Sequence, residues 1–494
     1  MTASALLSAI IFLPLAGGLV GLFQSRHPER CRRIALTATL ADLFLIVTLM
    51  LHDVGTVSVD APWISAFGIR YALAADGISL ILILLTGILG VICVLVSWTA
   101  ITDRAAPYYA LLLAAETGVL GIFLATDLFL FYLFWELQAI PLFFLIGIWG
   151  HGDRVRAAVK FFLFSITGSL LMLVALISLY VIHGAQTGIY SFSIFDLTDT
   201  LLSGQAEGWL YAAFLLAFAI KIPLVPVHTW LPDAHTEAPT AGSVILAGLL
   251  LKTGMYALFR FAIPLFPGAA AQSAPLLICL GLVGLFYAGW IALAQRDMKR
   301  LVAYSSISHM GLMAIGVALW QPLTLSGAIL QMVNHGLVTS ALFILVGMID
   351  ERLGSRKLAD AGGLWHRMPV LSGFFLLFAM ASMGLPGLNN FVGEILILVG
   401  TFREAPAVAV LGFAGLVVTL IYTLRLVQGA LFGEPSGDEA PLPDLNFRET
   451  VVLVVLAAGV LFIGLVPGPV LELLEGPVRH LLEGAPRSVA LIGF

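Results

Sequence analysis

Six ionisable side chains stand in stretches too apolar to be solvated faces: Glu136, Lys221, Lys252, His309, His335 and Glu394. Lys221 closes the run Phe214-Leu-Leu-Ala-Phe-Ala-Ile-Lys221 and is followed by Pro223 and Pro226. Each proline removes a backbone donor and obstructs the preceding turn, so the helix is predicted to break there and leave carbonyls that water, side chains or an ion must satisfy. A charge at a helix centre costs roughly 2.5–3.5 kcal/mol on insertion scales, a penalty that marks function by default. Proton exchange is the chemistry this suggests. Burial favours the neutral amine and a nearby carboxylate favours the ammonium, so a neighbouring charge loads or unloads the lysine. Glu136, in Leu133-Phe-Trp-Glu136-Leu-Gln-Ala-Ile-Pro141, is the candidate partner, and Lys252 lies in a second apolar run, Ala247-Gly-Leu-Leu-Leu-Lys252-Thr-Gly254. The competing reading is a static Glu136–Lys221 ion pair that locks two helices.

A second set lies further along the chain. Ser305 and His309 are four residues apart, as are Gln331, His335 and Thr339 in series, so each set shares a helical face. Such polar stripes hold water and relay protons, a task suited to histidine with its unperturbed pKa of about 6.5. A membrane histidine also serves simply to hydrogen-bond a neighbouring helix. A second break is expected at Met383-Gly-Leu-Pro386-Gly387-Leu-Asn389-Asn390, before the chain resumes through Glu394. Glu116 and Asp127 sit near the fourth and fifth apolar segments, where interface or capping roles compete with proton transfer. His228, Asp233, His235 and Glu237 fall in an expected loop without a metal-ligand spacing, so no metal site is expected.

The elements that must position these residues are membrane spans. The chain of 494 residues is 60% hydrophobic and 11% charged, with a mean hydropathy of +1.04, well outside the range of soluble domains. At about 20 apolar residues per span, fourteen transmembrane helices are predicted. They begin near Ser4, Arg33, Ile78, Tyr108, Leu128, Phe161, Trp209, Ala241, Pro275, Leu301, Leu323, Pro369, Pro406 and Thr450. The fold class is therefore an all-α polytopic membrane protein. The first span lacks a charged leader region and a clear cleavage site, which reads as a retained helix. Basic residues concentrate in alternate connections, including Arg26 to Arg33, Arg154 to Lys160, Arg296 to Arg300 and Arg352 to Arg367. The opposite side holds Arg70, Arg260, Arg403, Arg479 and Arg487. The basic connections are cytoplasmic by the positive-inside rule, so both termini face away from the cytoplasm.

The two breaks occupy corresponding positions in two five-helix blocks, which predicts inverted repeats of the kind used by secondary transporters. The expected division is an N-terminal three-helix segment over 1–107, repeats over 108–262 and 263–432, and a C-terminal helix and tail over 433–494. Several functions are disfavoured. Cys31, Cys93 and Cys279 are scattered, which argues against iron–sulfur and zinc frameworks. Neither a dinucleotide fingerprint nor a P-loop is present in the sequence, so energy must arrive from elsewhere. The net charge of −5 gives no case for nucleic acid.

Four segments together carry a family resemblance: Phe134-Trp-Glu136-Leu, Lys221-Ile-Pro223 through Val227-His-Thr-Trp-Leu-Pro-Asp-Ala-His235, Tyr304-Ser-Ser-Ile-Ser-His309-Met-Gly, and Asn390-Phe-Val-Gly-Glu394. With them the chain resembles the antiporter-like subunits of respiratory complex I along nearly its whole length. Glu394 stands where L- and N-type members carry lysine, which favours the M-type, as does a chain that ends soon after its fourteenth helix. The resemblance implies a proton-translocating subunit of a redox-driven NADH:quinone oxidoreductase. In it Glu136 and Lys221 are the coupled pair, Lys252 the central lysine, His309 and His335 its continuation, and Glu394 the terminal acid. It also implies no electron carrier in this chain, with flavin and iron–sulfur clusters in partner subunits. Expected partners are other antiporter-like and small membrane subunits, a peripheral redox arm and lipid, and the expected site is a bacterial-type inner membrane. The alternatives are a subunit of a cation/proton antiporter, or of a membrane hydrogenase or carbon-dioxide-hydrating complex.

Overall fold

The computed structural model describes residues 3–51, 57–433 and 442–484, so Arg487 of the sequence reading lies outside the described residues. The helices are α1 Ala3–Leu22, α2 Pro28–Leu51, α3 Gly77–Ala100, α4 Ala105–Leu124, α5 Leu128–Trp149, α6 Arg154–Thr187 and α7 Gly204–Lys221. Then follow α8 Trp230–Glu237, α9 Thr240–Leu265, α10 Pro267–Ala294, α11 Met298–Ala318, α12 Pro322–Leu353 and α13 Pro369–Ser382. The last are α14 Asn389–Glu404, α15 Pro406–Leu431, α16 Phe447–Leu465 and α17 Gly468–Gly484. Among the described residues, 12 helices are long and apolar enough to cross a membrane. The remaining two expected spans are the interrupted ones, α7 with α8 and α13 with α14. The starts follow the sequence reading, with the widest discrepancy at α10, which begins at Pro267 rather than near Pro275.

Local chemistry sets these boundaries. Asp76, Asp127 and Asp297 cap α3, α5 and α11 by accepting from the backbone N–H groups of Ser79 (2.9 Å), Phe129 and Leu130 (both 3.0 Å), and Arg300 (3.0 Å). Pro322, Pro369 and Pro406 open α12, α13 and α15 where no intrahelical donor is needed. Arg260, assigned by the sequence reading to a connection, lies inside α9 and pairs with Asp76 at 2.6 Å.

The strictly helical expectation departs at one connection. Val57–Ile64 (β1) and Ile69–Ala75 (β2) form an antiparallel hairpin, turned by Gly68 at φ +67°. The hairpin is fastened to α5, because Asp127 also accepts from Arg70 N–H at 3.1 Å and Ala72 O accepts from Thr126 N–H at 3.0 Å. Asp127 is thus a capping residue.

The described residues fall into two compact units. The first draws on the described residues within 3–222, 249–273 and 479–484; the second draws on those within 223–248 and 274–478. In the first unit α1 packs on α2 and α4, α4 on α5, α5 on α6, and α6 on α7. In the second α12 is central, packing on α11, α13, α14 and α16. Apolar surface gives no driving force between helices in lipid, so close approach and polar ties matter more. A Cβ at Gly281 of α10 would come 2.7 Å from Gly311 O of α11, so these backbones meet because glycine is there. Arg352 of α12 reaches Glu449 of α16 at 2.6 Å, and Asp444 accepts from the N–H groups of Val370 and Leu371 at the start of α13.

Candidate functional site

Two groups of buried polar residues match the sequence candidates, one in each unit. In the first, Lys221 is 1% exposed at the last residue of α7. Its Nζ lies 5.1 Å from the centre of the Trp135 ring and 5.9 Å from that of Phe161, so aromatic faces supply much of its surroundings. Among the described residues Nζ has no hydrogen-bond partner. Glu136, the residue after Trp135 in α5, acts on Lys221 electrostatically, and among the described residues the two form no ion pair within 4.0 Å. The locked-pair reading therefore does not describe this geometry. Glu136 itself is half-buried, and one carboxylate oxygen is buried without a hydrogen-bond partner.

Lys252 is fully buried in α9. Two five-residue π-helical stretches, Leu246–Leu250 and Leu258–Ala262, flank it and interrupt the regular ladder on either side. Thr253, its neighbour, meets Gln138 of α5 at 3.2 Å, and Gly254 lies against the Cβ of Lys221. The helix that carries Lys252 is thereby held to the helices that carry Glu136 and Lys221.

In the second unit Glu394 is 4% exposed in the first turns of α14. Its Oε1 accepts from Gln331 Nε2 of α12 at 3.3 Å and lies 3.6 Å from His309 Nδ1 of α11. The His309 and His335 rings meet edge to face with centroids 5.6 Å apart. Three helices thus bring acid, amide and two imidazoles together. Asn334 Nδ2 extends the network to Gln331 Oε1 (3.3 Å) and Asn389 O (2.8 Å), which ties the group to the second break. Gly384 stands at φ +72°, and a Cβ there would collide with the Glu394 carboxylate, so the break is shaped around the acid.

The other candidates take separate places. Ser305 donates to Val302 O of its own helix at 2.8 Å, and Thr339 is buried in α12. Glu116 is buried in α4, with Asp42 as its electrostatic neighbour. The expected loop of His228, Asp233, His235 and Glu237 is instead largely helix α8. Asp233 pairs with Arg300 at 3.4 Å, His235 stacks on Phe343 and His228 meets Tyr287 edge to face, so these residues serve packing with different partners.

Residues 125–421 match the family described as NADH:quinone oxidoreductase/Mrp antiporter, TM. The chain belongs to this family. It is 44% identical to NADH-quinone oxidoreductase subunit M of Pseudomonas aeruginosa, over 94% of this chain and 95% of that protein. A chain of respiratory complex I from Thermus thermophilus with bound NADH superposes with a TM-score of 0.89 at 31% identity, covering 97% of this chain and all of that one. A chain of the Mrp complex from Dietzia sp. shares the fold with a TM-score of 0.87 at 22% identity, covering 99% of this chain and all of that one. The matched stretch of this antiporter-family chain contains Glu136, Lys221, Lys252, His309, His335 and Glu394. Sequence reasoning missed Asn334, Asn389 and Gln138, whose neutral amides carry no charge penalty to advertise them. Their signal was a polar residue within an apolar run, no more than five residues from an ionisable candidate.

Proposed function

We propose that this chain is a proton-translocating, M-type antiporter-like subunit of an NADH:quinone oxidoreductase, and that Glu136, Lys221, Lys252, His309, His335 and Glu394 carry the proton. The observation that carries the reading is Lys221: a fully buried amine at a helix break, without a hydrogen-bond partner and with a carboxylate acting on it from beyond ion-pair range. Among the described residues, the surroundings of that ammonium are aromatic faces and a carboxylate beyond ion-pair range. An amine that gains and loses its proton as the neighbouring charge changes fits this setting.

In the second unit, His309 and Glu394 are close enough to exchange a proton directly or through one water, and Gln331 orients the carboxylate. His335 continues the relay from the adjoining face of α12. The two breaks, at Pro223 with Pro226 and at Pro386, interrupt the helical ladder beside each group. Their matching positions in the two five-helix blocks support an inverted repeat. The redox chemistry, with flavin and iron–sulfur clusters, belongs to partner subunits in a peripheral arm. The chain works beside other antiporter-like and small subunits and lipid in a bacterial inner membrane.

Glu136→Gln tests the coupled pair, because it keeps the side chain's shape and removes the charge. Turnover of the assembled complex is expected to fall as severely as on loss of the lysine, with Glu136→Asp milder. A reduced yield of complex whose surviving fraction pumps normally would instead make Glu136 a structural group.

A further inference from the structure

The run Thr236-Glu237-Ala238, where α8 ends, has two cations on its carbonyls. Lys299 Nζ donates to Ala238 O at 2.5 Å and Arg356 Nη1 donates to Thr236 O at 2.6 Å. These carbonyls close the C-terminal end of α8, where the last turn of any helix leaves acceptors unpaired and cations are favoured. The Arg300–Asp233 pair at 3.4 Å adds a third tie between α8 and the start of α11.

The clamp is itself held. Met298 N–H donates to Arg356 O at 2.9 Å and Leu358 N–H donates to Arg296 O at 2.8 Å, so the two connections bearing the cations are paired along their backbones. Arg356 Nε lies 3.5 Å from Asp297 and 3.9 Å from Asp350, and Asp350, Asp297 and Glu237 oppose the repulsion that Arg356 exerts on Lys299. Lys299 is 3% exposed. A plain helix stop needs only a glycine or solvent, whereas this one uses a buried lysine and an arginine that require carboxylates to compensate them. The anchored helix is the far side of the break whose near side ends on Lys221, with residues 222–229 between them.

We propose that Lys299 and Arg356 are positioning residues for proton transfer: they fix the carbonyl end of α8 and with it segment 223–229, the stretch of chain that follows Lys221 and Ile222 directly. The inference rests on the reading of Lys221 as a proton carrier and gives a role to two residues outside the relay.

The test uses membrane vesicles containing the whole complex, with the proton-to-electron ratio measured at matched complex content. Lys299→Met and Arg356→Met remove the donors and keep much of the side-chain length. Their ratio is expected to fall by roughly 2- to 30-fold, the span of couplings carried by residues remote from a site. Lys299→Arg and Arg356→Lys, which keep a cationic donor, are expected to recover most of it. Arg356→Gln keeps an N–H donor without the charge and serves as the milder variant. A wild-type ratio in the methionine variants overturns the proposal. Loss of assembly in every variant, Arg356→Gln included, assigns the contacts to folding alone and also overturns it. Lys221→Ala in the same assay separates the two failures: a wild-type ratio there overturns the reading of Lys221 itself, whereas loss there with a wild-type ratio in the clamp variants overturns only the clamp.

Discussion

Charge placed where water is excluded is the feature that made single residues legible. Glu136, Lys221, Lys252 and Glu394 stand out in sequence because each costs free energy in an apolar helix, and all four lie inside helices of the structure. The periodicity of four correctly put Gln331 and His335 on one helix, and the structure adds that Gln331 donates to Glu394 while His335 meets His309. It likewise put Ser305 and His309 on one helix, where the Ser305 hydroxyl donates to Val302 O. Glu394 yields a prediction at this scale. Glu394→Gln removes the titratable group next to His309 and is expected to block pumping in the assembled complex. Glu394→Lys reverses the charge but keeps a titratable group, as L- and N-type relatives do by resemblance, and is expected to retain part of the activity. Proton uptake and release by vesicles containing each variant, normalised to complex content, measures both. Equal and complete loss in the two variants would make the carboxylate's fixed charge, rather than its proton, the requirement.

At the scale of elements, the interrupted helices were readable from proline and glycine, and their consequences were not. Pro223, Pro226 and Pro386 predict a stop, yet nothing in sequence says that α8 resumes after the first break or that lysine and arginine from distant connections hold its end. The hairpin of β1 and β2 was missed because a short alternating stretch between long apolar runs is swamped by their hydropathy. The π-helical stretches flanking Lys252 share no sequence signature, one being wholly apolar and the other carrying Arg260. One contact between elements gives a stability prediction. Arg260 in α9 and Asp76 at the start of α3 form a largely buried pair at 2.6 Å. Removing one partner of a buried pair costs about 3–5 kcal/mol, because the remaining charge is stranded. Arg260→Ala or Asp76→Ala is therefore expected to reduce the yield and thermal stability of the complex, and the double variant to be less damaged than the sum of the two. Additive losses in this double-mutant cycle would show that the pair is not coupled.

For the whole molecule, composition established a polytopic membrane protein, and the described residues contain 12 helices of the required length and apolarity beside two interrupted ones. The division into two compact units could not be read from sequence, since α9 begins with residues of one unit and continues with residues of the other. Each unit holds one group of buried titratable residues. Purification through this chain under mild detergent is expected to bring down flavin- and iron–sulfur-containing polypeptides; a nickel–iron or carbonic-anhydrase-like subunit in their place would assign the chain to a different complex. The most direct test of proton translocation is the proton-to-electron ratio of Lys221→Ala, measured in proteoliposomes at complex content matched to wild type. The account predicts that the complex assembles and pumping is largely lost, with Lys221→Arg also impaired because a guanidinium of pKa above about 12 does not readily release its proton. A wild-type ratio in Lys221→Ala would contradict it.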